Sequence, residues 1–195
     1  MLQLQQIIQA FGQMTEEQFL LSENMWLGKS YKKGDFFNEY KNVCKHLGVI
    51  MDGVFRTYYI DEKTGEEKNM FFYSKNQVVV AYKSFVSQTP CNYYTAAVTN
   101  AVIYYIHIEQ LQKLYSTSHH WERLGRLIAE TAFSIGNDRM ESFMFQSPEE
   151  RYIAMVNQHP DIFNNVPLYH LASYLGIQGP SLSRIRKRMA LHNRF

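Results

Sequence analysis

Cysteine is scarce in this sequence, which contains only Cys44 and Cys91 among its 195 residues. Two thiols are too few for a disulfide scaffold or for a four-thiolate metal cluster. The histidines lack the close spacing of a zinc site, and we interpret them as ordinary surface or core residues. The chain also has no glycine-rich loop of the kind that cradles phosphates. We therefore expect a protein that is not an enzyme and that holds no metal or cofactor.

Long hydrophobic runs are also lacking. No apolar stretch approaches the roughly 20 residues that span a membrane, and the N-terminus lacks the cationic start and apolar core of a signal peptide. We therefore expect a soluble cytoplasmic protein without a membrane partner. The net charge is only +2, so a strongly cationic surface must be a local feature. Hydrophobic residues make up 46% of the chain, which excludes wholesale disorder.

The periodicity of the first half of the chain changes from helical to strand-like near Trp26. Before this point, residues 2–24 carry a loose apolar helical face, and Thr15 to Gln18 fit a capping box at the start of a second helix. After it, we interpret Asp52-Gly53 as a tight hairpin turn. The pattern predicts strands over residues 46–51, 54–60, 68–73, 77–82, 93–98 and 102–107. Strands at this spacing indicate an antiparallel sandwich or barrel.

A single long helix is predicted from His119 to Phe145, a stretch without proline that would extend ~40 Å. A helix that is apolar on two sides needs two partners, here the β domain of the same chain and the same helix of a second subunit. The first apolar stripe, which we assign to the subunit interface, contains Trp121, Leu124, Ile128 and Ile135. The second stripe contains Ala129, Ala132, Phe133, Met140, Phe143 and Met144. The alternative is a core helix inside a monomer.

The C-terminal quarter of the chain predicts a helix-turn-helix. Ser147, with Pro148 after it and Glu150 three residues on, marks the start of a helix and a domain boundary. Pro160 is predicted to end that helix, and residues 161–166 to cross over to the helix-turn-helix. The next helix presents an apolar face made by Leu168, Leu171, Ala172 and Leu175. Gly176 supplies a left-handed turn and Gly179-Pro180 opens a second helix, which completes the motif.

The second helix of this motif has one apolar face and one cationic face. Leu182, Ile185 and Met189 point inward at helical spacing. No acidic residue follows Asp161, whereas the cations there are Arg184, Arg186, Lys187, Arg188 and Arg194. Because the second helix of such a motif enters the major groove, we predict a double-stranded DNA partner. The predicted DNA contacts are Gln178, Ser181, Ser183, Arg184, Lys187 and Arg188. The alternative is a solvated helix end whose cations suit the helix dipole.

The order of β domain, long helix and helix-turn-helix resembles the Crp/Fnr family of bacterial transcription regulators. Two segments carry the resemblance, EERY at residues 149–152 and LASYLGIQGPSLSRIRKRM at residues 171–189. The resemblance implies an α+β fold with three units. These are a cyclic-nucleotide-binding-like, jelly-roll-like antiparallel β-roll with flanking helices over 1–117, a dimerisation helix over 118–146 and a winged-helix-type helix-turn-helix over 147–195. Only residues 190–195 follow Met189, so we expect little or no wing.

The same resemblance argues against cAMP as the effector. Family members that bind cAMP carry a Gly-Glu pair for the ribose hydroxyl and an Arg-Ser pair for the cyclic phosphate. Val80-Ala81 and Cys91-Asn92 occupy those positions here, and a buried phosphate without a cation is very unfavourable. Iron–sulfur members use N-terminal cysteines, and none precedes Cys44. Gly179-Pro180 stands where the family usually has a glutamate, so we expect a different base preference.

Aromatic residues bracket the region where the family's effector would lie. The candidate pocket residues are Tyr73, Tyr82, Cys91, Tyr93 and Tyr94. Their rings could stack on a planar or apolar ligand. The alternative is that they are core and surface residues of a tyrosine-rich β domain, since pockets are few per protein.

Together these patterns predict a homodimeric, sequence-specific transcription regulator that binds a two-fold operator through its helix-turn-helix. A second class of function stays open, namely a ligand-binding or protein-interaction module on the same fold that does not bind DNA. RNA polymerase and a small-molecule effector of unknown identity are further candidate partners.

Overall fold

The computed structural model describes residues 1–192, so Arg194 and the end of the predicted 147–195 unit lie outside the described residues. Within residues 1–192 the fold is of the α+β class, with eight strands in two antiparallel sheets and nine α-helices. No helix in this part of the chain is both long enough and apolar enough to span a membrane.

Two helices precede the sheets. Helix α1 spans Leu2–Gly12 and helix α2 spans Glu16–Leu20. The predicted capping box is confirmed, because the Thr15 hydroxyl accepts a hydrogen bond from the Gln18 amide and the Gln18 side chain accepts one from the Thr15 amide. A short 3-10 helix at Glu23–Met25 then leads into the first strand.

The β-roll consists of two four-stranded sheets. Their strands are β1 Leu27–Tyr31, β2 Phe36–Asn38, β3 His46–Asp52, β4 Phe55–Ile60, β5 Glu67–Tyr73, β6 Val78–Val79, β7 Tyr94–Ala97 and β8 Ala101–His107. One sheet has the order β1-β8-β3-β6 and the other β2-β7-β4-β5, with every pairing antiparallel. Ile50, Phe55 and Ile103 come from both sheets and lie fully buried in a shared core. The predicted antiparallel layout is confirmed.

The turn at Asp52-Gly53 is not the hairpin that the sequence predicted. Strand β3 pairs with β6 and β8, whereas β4 pairs with β5 and β7, so this turn carries the chain from one sheet to the other. Gly53 has a φ of 92°, and a Cβ there would lie 2.6 Å from the carbonyl oxygen of Asn100. The glycine is therefore required by the close approach of a neighbouring turn as well as by its own backbone.

The predicted strand over 77–82 is wrong over most of its length. Only Val78–Val79 form β6, and Tyr82–Ser87 form the short helix α3. Ala81 and Phe85, four residues apart, are both buried, which is the spacing of a helix face. A short apolar run such as this one is compatible with either a strand or a buried helix, so its periodicity could not decide.

The β-roll leads into α4, Ile108–Thr117, and then into the long helix α5, His119–Phe145. The predicted bounds of α5 are confirmed. Its first half is anchored at Trp121, which is fully buried and whose indole N–H donates to the carbonyl oxygen of Gln18 at 2.9 Å. The N-terminal helices and α5 therefore share the core of the β-roll.

Four helices complete the described chain, α6 Pro148–Gln158, α7 Pro160–Asn165, α8 Leu168–Leu175 and α9 Gly179–His192. The predicted capping box at the start of α6 is confirmed, with reciprocal hydrogen bonds between Ser147 and Glu150. The crossover predicted over 161–166 is a helix instead. Pro160 ends α6 but also occupies the first turn of α7, where its missing N–H costs nothing.

Candidate nucleic-acid interface and ligand pocket

Helices α8 and α9 form the predicted helix-turn-helix. Gly176 ends α8 in the left-handed region, with φ 69° and ψ 33°, and the Ile177 amide donates to the carbonyl oxygen of Ala172 at 3.0 Å. This is the hydrogen-bond pattern with which a C-terminal glycine satisfies the last carbonyls of a helix. Leu175 and Leu182 are each 1% exposed, so the two helices are held by a buried apolar contact.

The outward face of α9 carries the residues predicted to contact DNA. Gln178, Ser183, Arg184 and Lys187 are exposed and Ser181 is half-buried, whereas Ile185 on the opposite face is buried. The Arg184 guanidinium folds back onto its own helix, with Nη2 3.4 Å from the Ser181 hydroxyl. This contact is long and exposed, so it leaves the guanidinium available to a partner.

Arg188 contacts a carboxylate in the structure. Its guanidinium donates to both oxygens of Glu149, at 3.1 Å and 2.5 Å, and Glu149 lies in the first turn of α6. Both side chains are substantially exposed, and such surface pairs contribute about 0–1 kcal/mol. The sequence did not reveal this pair, because its members are far apart in the chain.

Two arginines join α5 to the helix-turn-helix. Arg151 is buried and donates from Nε and Nη2 to the carbonyl oxygen of Leu175, at 3.1 and 3.0 Å, and from Nη1 to that of Gln146 at 2.6 Å. Arg139 donates to the carbonyl oxygen of Tyr174 and lies 3.7 Å from the centre of its ring. Burial lowers the pKa of both guanidinium groups. In the sequence, Arg151 stands out only as part of the EERY segment.

A cleft of about 900 Å³ opens between the β-roll, α1 and α5 and continues towards α6. Three of the predicted pocket residues, Tyr73, Tyr82 and Tyr93, line it. Thr57 lies between Tyr73 and Thr95, with its hydroxyl 3.4 Å from the Tyr73 hydroxyl and 3.2 Å from that of Thr95. Burial raises the pKa of Tyr73 to about 12, so its hydroxyl stays protonated and can donate a hydrogen bond at neutral pH.

The other two predicted pocket residues do not line the cleft. Cys91 is buried next to Tyr93, behind the cleft surface. Tyr94 lies on the opposite face of β7, where its ring stacks on Tyr58 with centroids 5.2 Å apart, so its assignment to the pocket is corrected. Tyr93 lies in the bend just before β7 and lines the cleft, whereas Tyr94 is the first residue of the strand and does not.

Several solved structures share this architecture. A transcriptional regulator of the Crp/Fnr family from Eubacterium rectale has a TM-score of 0.71 and 16% sequence identity, over 93% of this chain and 86% of that one. FixK2 from Bradyrhizobium japonicum has a TM-score of 0.71 and 15% identity, over 86% of each chain. A CooA mutant from Carboxydothermus hydrogenoformans has a TM-score of 0.68 and 12% identity, over 95% of this chain and 84% of that one. The chain has the Crp/Fnr fold. Comparisons with protein-family models and with curated proteins found no match.

Within this Crp/Fnr fold, three of the four positions that the resemblance assigned to cAMP recognition are apolar and buried, whereas the fourth, Asn92, is exposed. Val80, Ala81 and Cys91 are each less than 10% exposed. Among the described β-roll and α1 residues that line the cleft, none carries a formal charge at neutral pH. The charged side chains of the cleft, Arg139 and Arg151 among them, come from α5 and α6 instead.

The α5 stripe that the sequence assigned to a subunit interface lies mostly inside the Crp/Fnr fold of one chain. Trp121, Leu124 and Ile128 are 0%, 1% and 6% exposed because they pack in the β-roll core. Their assignment to the interface is corrected, since a buried side chain cannot contact another subunit. Only Ile135 of that stripe reaches the surface, at 48% exposure.

The second half of α5 carries a different apolar surface, which we name the α5 strip. It consists of Phe133, Met140, Phe143 and Met144, which lie on one side of the helix and are each between 46% and 71% exposed. Contiguous exposed apolar side chains of this size are typical of interaction surfaces. Ile135 and Phe145 are also exposed, but they line the cleft on another side of α5. The β-roll therefore packs against the stripe that carries Trp121, and the second stripe is the one that stays exposed.

Proposed function

We propose that this protein is a sequence-specific DNA-binding transcription regulator that acts as a homodimer. One observation carries the proposal, namely a helix-turn-helix whose second helix buries Leu182 and Ile185 and exposes Arg184 and Lys187. No acidic residue follows Asp161 in the sequence, and Glu149 of α6 contacts the cations of this surface only through its exposed ion pair with Arg188. Such a surface suits the phosphate backbone and the major groove.

The contacts divide between base reading and phosphate binding. Arg184 projects from the exposed face of α9 and can make a bidentate contact to guanine O6 and N7. Ser181, Ser183 and Gln178 are short donors near the start of α9 that suit a base edge or a phosphate. Lys187 lies one turn further on and suits the backbone. Arg188 would exchange the Glu149 carboxylate for a phosphate, because their exposed ion pair is weak.

The α5 strip is the proposed dimer interface. Pairing it with the same strip of a second copy across a two-fold axis buries side chains that one copy leaves exposed. A two-fold dimer presents two α9 helices to DNA and therefore reads two related half-sites. RNA polymerase is a further proposed partner, because a transcription regulator acts on the polymerase that its operator positions.

The cleft beside Tyr73 and Tyr93 is the proposed effector site. Its β-roll walls are mainly aromatic and aliphatic, and their polar groups are the hydroxyls of Thr57, Tyr73 and Tyr93 and the side-chain amides of Asn76 and Gln77. This lining suits an uncharged planar or apolar ligand with one or two hydrogen-bonding groups. It does not suit cAMP.

Selection from a pool of random-sequence duplex DNA tests the function. We expect the chain to enrich a two-fold symmetric sequence whose half-sites lie about one helical turn apart, or a multiple of it. Arg184→Ala should lose the preference at one base pair of each half-site. Arg126→Ala is the matched control, because Arg126 is an exposed arginine of α5 paired with Glu130 and away from α9. Failure to enrich any sequence would instead support a ligand-binding or protein-interaction module.

A further inference from the structure

The helix-turn-helix touches the β-roll through a buried cluster of polar residues. Arg56, on the outer face of β4, is only 9% exposed. Its Nη1 atom lies 2.6 Å from Glu67 Oε2, donates to Asn69 Oδ1 at 3.1 Å and lies 2.9 Å from His170 Nδ1. His170 belongs to α8, so this one guanidinium group bridges two strands of the β-roll and the first helix of the DNA-binding motif.

Helix α8 also satisfies backbone groups of an edge strand. Strand β5 is the last strand of its sheet and would otherwise present unpaired amides and carbonyls. The Ser173 hydroxyl accepts a hydrogen bond from the Asn69 amide at 2.9 Å and donates one to the Glu67 carbonyl oxygen at 3.0 Å. The side chain of Ser173 therefore replaces a neighbouring strand at this point.

Apolar contacts reinforce the same junction. The rings of Phe72 on β5 and Tyr174 on α8 have centroids 5.2 Å apart. Val54, Phe72 and Val98 of the β-roll are buried in the same core as Leu171 of α8. The junction is therefore part of the buried interior of the fold. Its buried polar side chains must form their hydrogen bonds within this cluster, because they are largely shielded from water.

The junction requires a neutral imidazole. Arg56 can only donate, so Nδ1 of His170 must accept, and the proton of the neutral ring then lies on Nε2. Protonation of Nδ1 would place a second cation 2.9 Å from the guanidinium group. The charged groups around His170 are Arg56 on β4, Glu67 on β5 at 3.9 Å and Lys33 in the β1–β2 turn. Glu67 is partly exposed and already paired with Arg56, so it cannot fully offset the added charge.

We propose that Arg56, Glu67, Asn69, His170 and Ser173 form a latch, the β5 latch, that fixes the DNA-binding helices against the β-roll and that acid releases. Arg56 and His170 are then positioning residues, because they set the direction in which α9 faces without contacting DNA. Release frees the helix-turn-helix to move on α5, so the fixed separation of two recognition helices in a dimer is lost. The consequence for DNA rests on the proposed function, whereas the latch itself does not.

The direction of the pH effect follows from the free and docked forms of His170. Burial first, and the nearby Arg56 second, lower its pKa from the ordinary 6.5 to about 4. The undocked ring therefore binds protons more readily than the docked ring, so docking is fully favoured above pH 6.5 and weakens as the pH falls towards 4. Between about pH 7.5 and about pH 5, the docking equilibrium should fall about 30-fold.

Hydrogen exchange at single-residue resolution tests the latch without DNA. The reporter is the Asn69 amide, which is protected by Ser173 of the helix-turn-helix. After correction for the intrinsic rate, its protection should fall about 30-fold from about pH 7.5 to about pH 5. His170→Gln keeps a hydrogen-bond acceptor but has no group that titrates in this pH range, so protection of the Asn69 amide should fall less than about 3-fold in this variant. His159→Gln, a histidine outside the latch, should keep the full effect.

Unchanged protection of Asn69 across this pH range in the wild-type chain would overturn the latch, as would an unchanged fall in His170→Gln. A second arm compares binding to an enriched operator and to shuffled DNA. Arg56→Gln and His170→Ala should reduce the operator preference at least 10-fold while leaving the affinity for shuffled DNA unaltered. If the wild-type chain binds operator and shuffled DNA equally, the proposed function fails. The hydrogen-exchange experiment does not involve DNA, so it still shows whether the β5 latch exists.

Discussion

Replacing Gly176 tests how the helix-turn-helix is held at the end of α5. This residue has a φ of 69°, a conformation that costs about 1–2 kcal/mol for residues with a Cβ. A Cβ at Gly176 would also lie 2.6 Å from Cε1 of Phe143, a distance that forces the ring or the turn to move. Overpacking of this kind costs about 1–3 kcal/mol. Gly176→Ala should therefore lower the free energy of unfolding by about 2–5 kcal/mol.

A double-mutant cycle separates these two costs. Phe143→Ala removes the ring. When Gly176→Ala is added to the Phe143→Ala variant, it should therefore lower the free energy of unfolding only by the backbone cost of about 1–2 kcal/mol. Gly179→Ala is the matched control, because no atom lies within 4 Å of the position where its Cβ would stand. That control should change the free energy of unfolding by less than about 0.5 kcal/mol.

Urea unfolding followed by far-ultraviolet circular dichroism measures these differences, since the C-terminal unit is helical. The reasoning would be refuted if Gly176→Ala were as stable as Gly179→Ala. If Gly176→Ala lowered the free energy of unfolding equally with and without the Phe143 ring, the contact between this ring and the turn would contribute nothing to that loss, and this part of the reasoning would be refuted.

Three further predictions concern assembly, the effector and DNA reading. Met140→Glu should give monomers in light scattering, because it places a charge in the α5 strip, whereas Ile128→Glu should unfold the β-roll core; a monomeric wild-type chain would remove the dimer proposal. Calorimetry with cAMP should show no saturable heat, because the β-roll wall of the cleft offers no cation to a phosphate, and tight binding would contradict this reasoning. Arg184→Ala should cost ~1–3 kcal/mol on the operator and relax one base pair per half-site, while Lys187→Ala should weaken all sequences alike and lower the salt slope by about 1. Equal weakening of every sequence by Arg184→Ala would make that residue a phosphate contact.

Features that depend on neighbouring residues in the chain could be predicted from the sequence. The capping boxes at Thr15 and Ser147, the bounds of α5 and the left-handed turn at Gly176 are all confirmed. Each of them is set by the spacing of a few consecutive residues. The class of the β-roll was predictable for the same reason, because turn residues recur between short apolar runs.

Features that depend on which elements meet were not predictable. Asp52-Gly53 favours a tight turn in either case, whether the chain reverses within one sheet or crosses to the other sheet. The two stripes of α5 are both apolar, and only the packed β-roll shows which one is internal. Arg56 and His170 lie 114 positions apart, so no local pattern joins them. Tyr93 lies in a bend before β7 although the sequence predicted a strand from that residue, and a predicted strand does not fix which of its two faces points inward.

The central claim is that α9 reads a DNA sequence, and a comparison of two affinities tests it most directly. Fluorescence anisotropy at one fixed salt concentration gives the dissociation constants of the full chain for the enriched operator and for a shuffled duplex of the same composition. Sequence-specific readers typically bind their site about 10³–10⁷ times more tightly than other DNA, and we predict a ratio in this range. Equal affinities for the two duplexes would show that the cationic helix binds only phosphates, and would contradict the account.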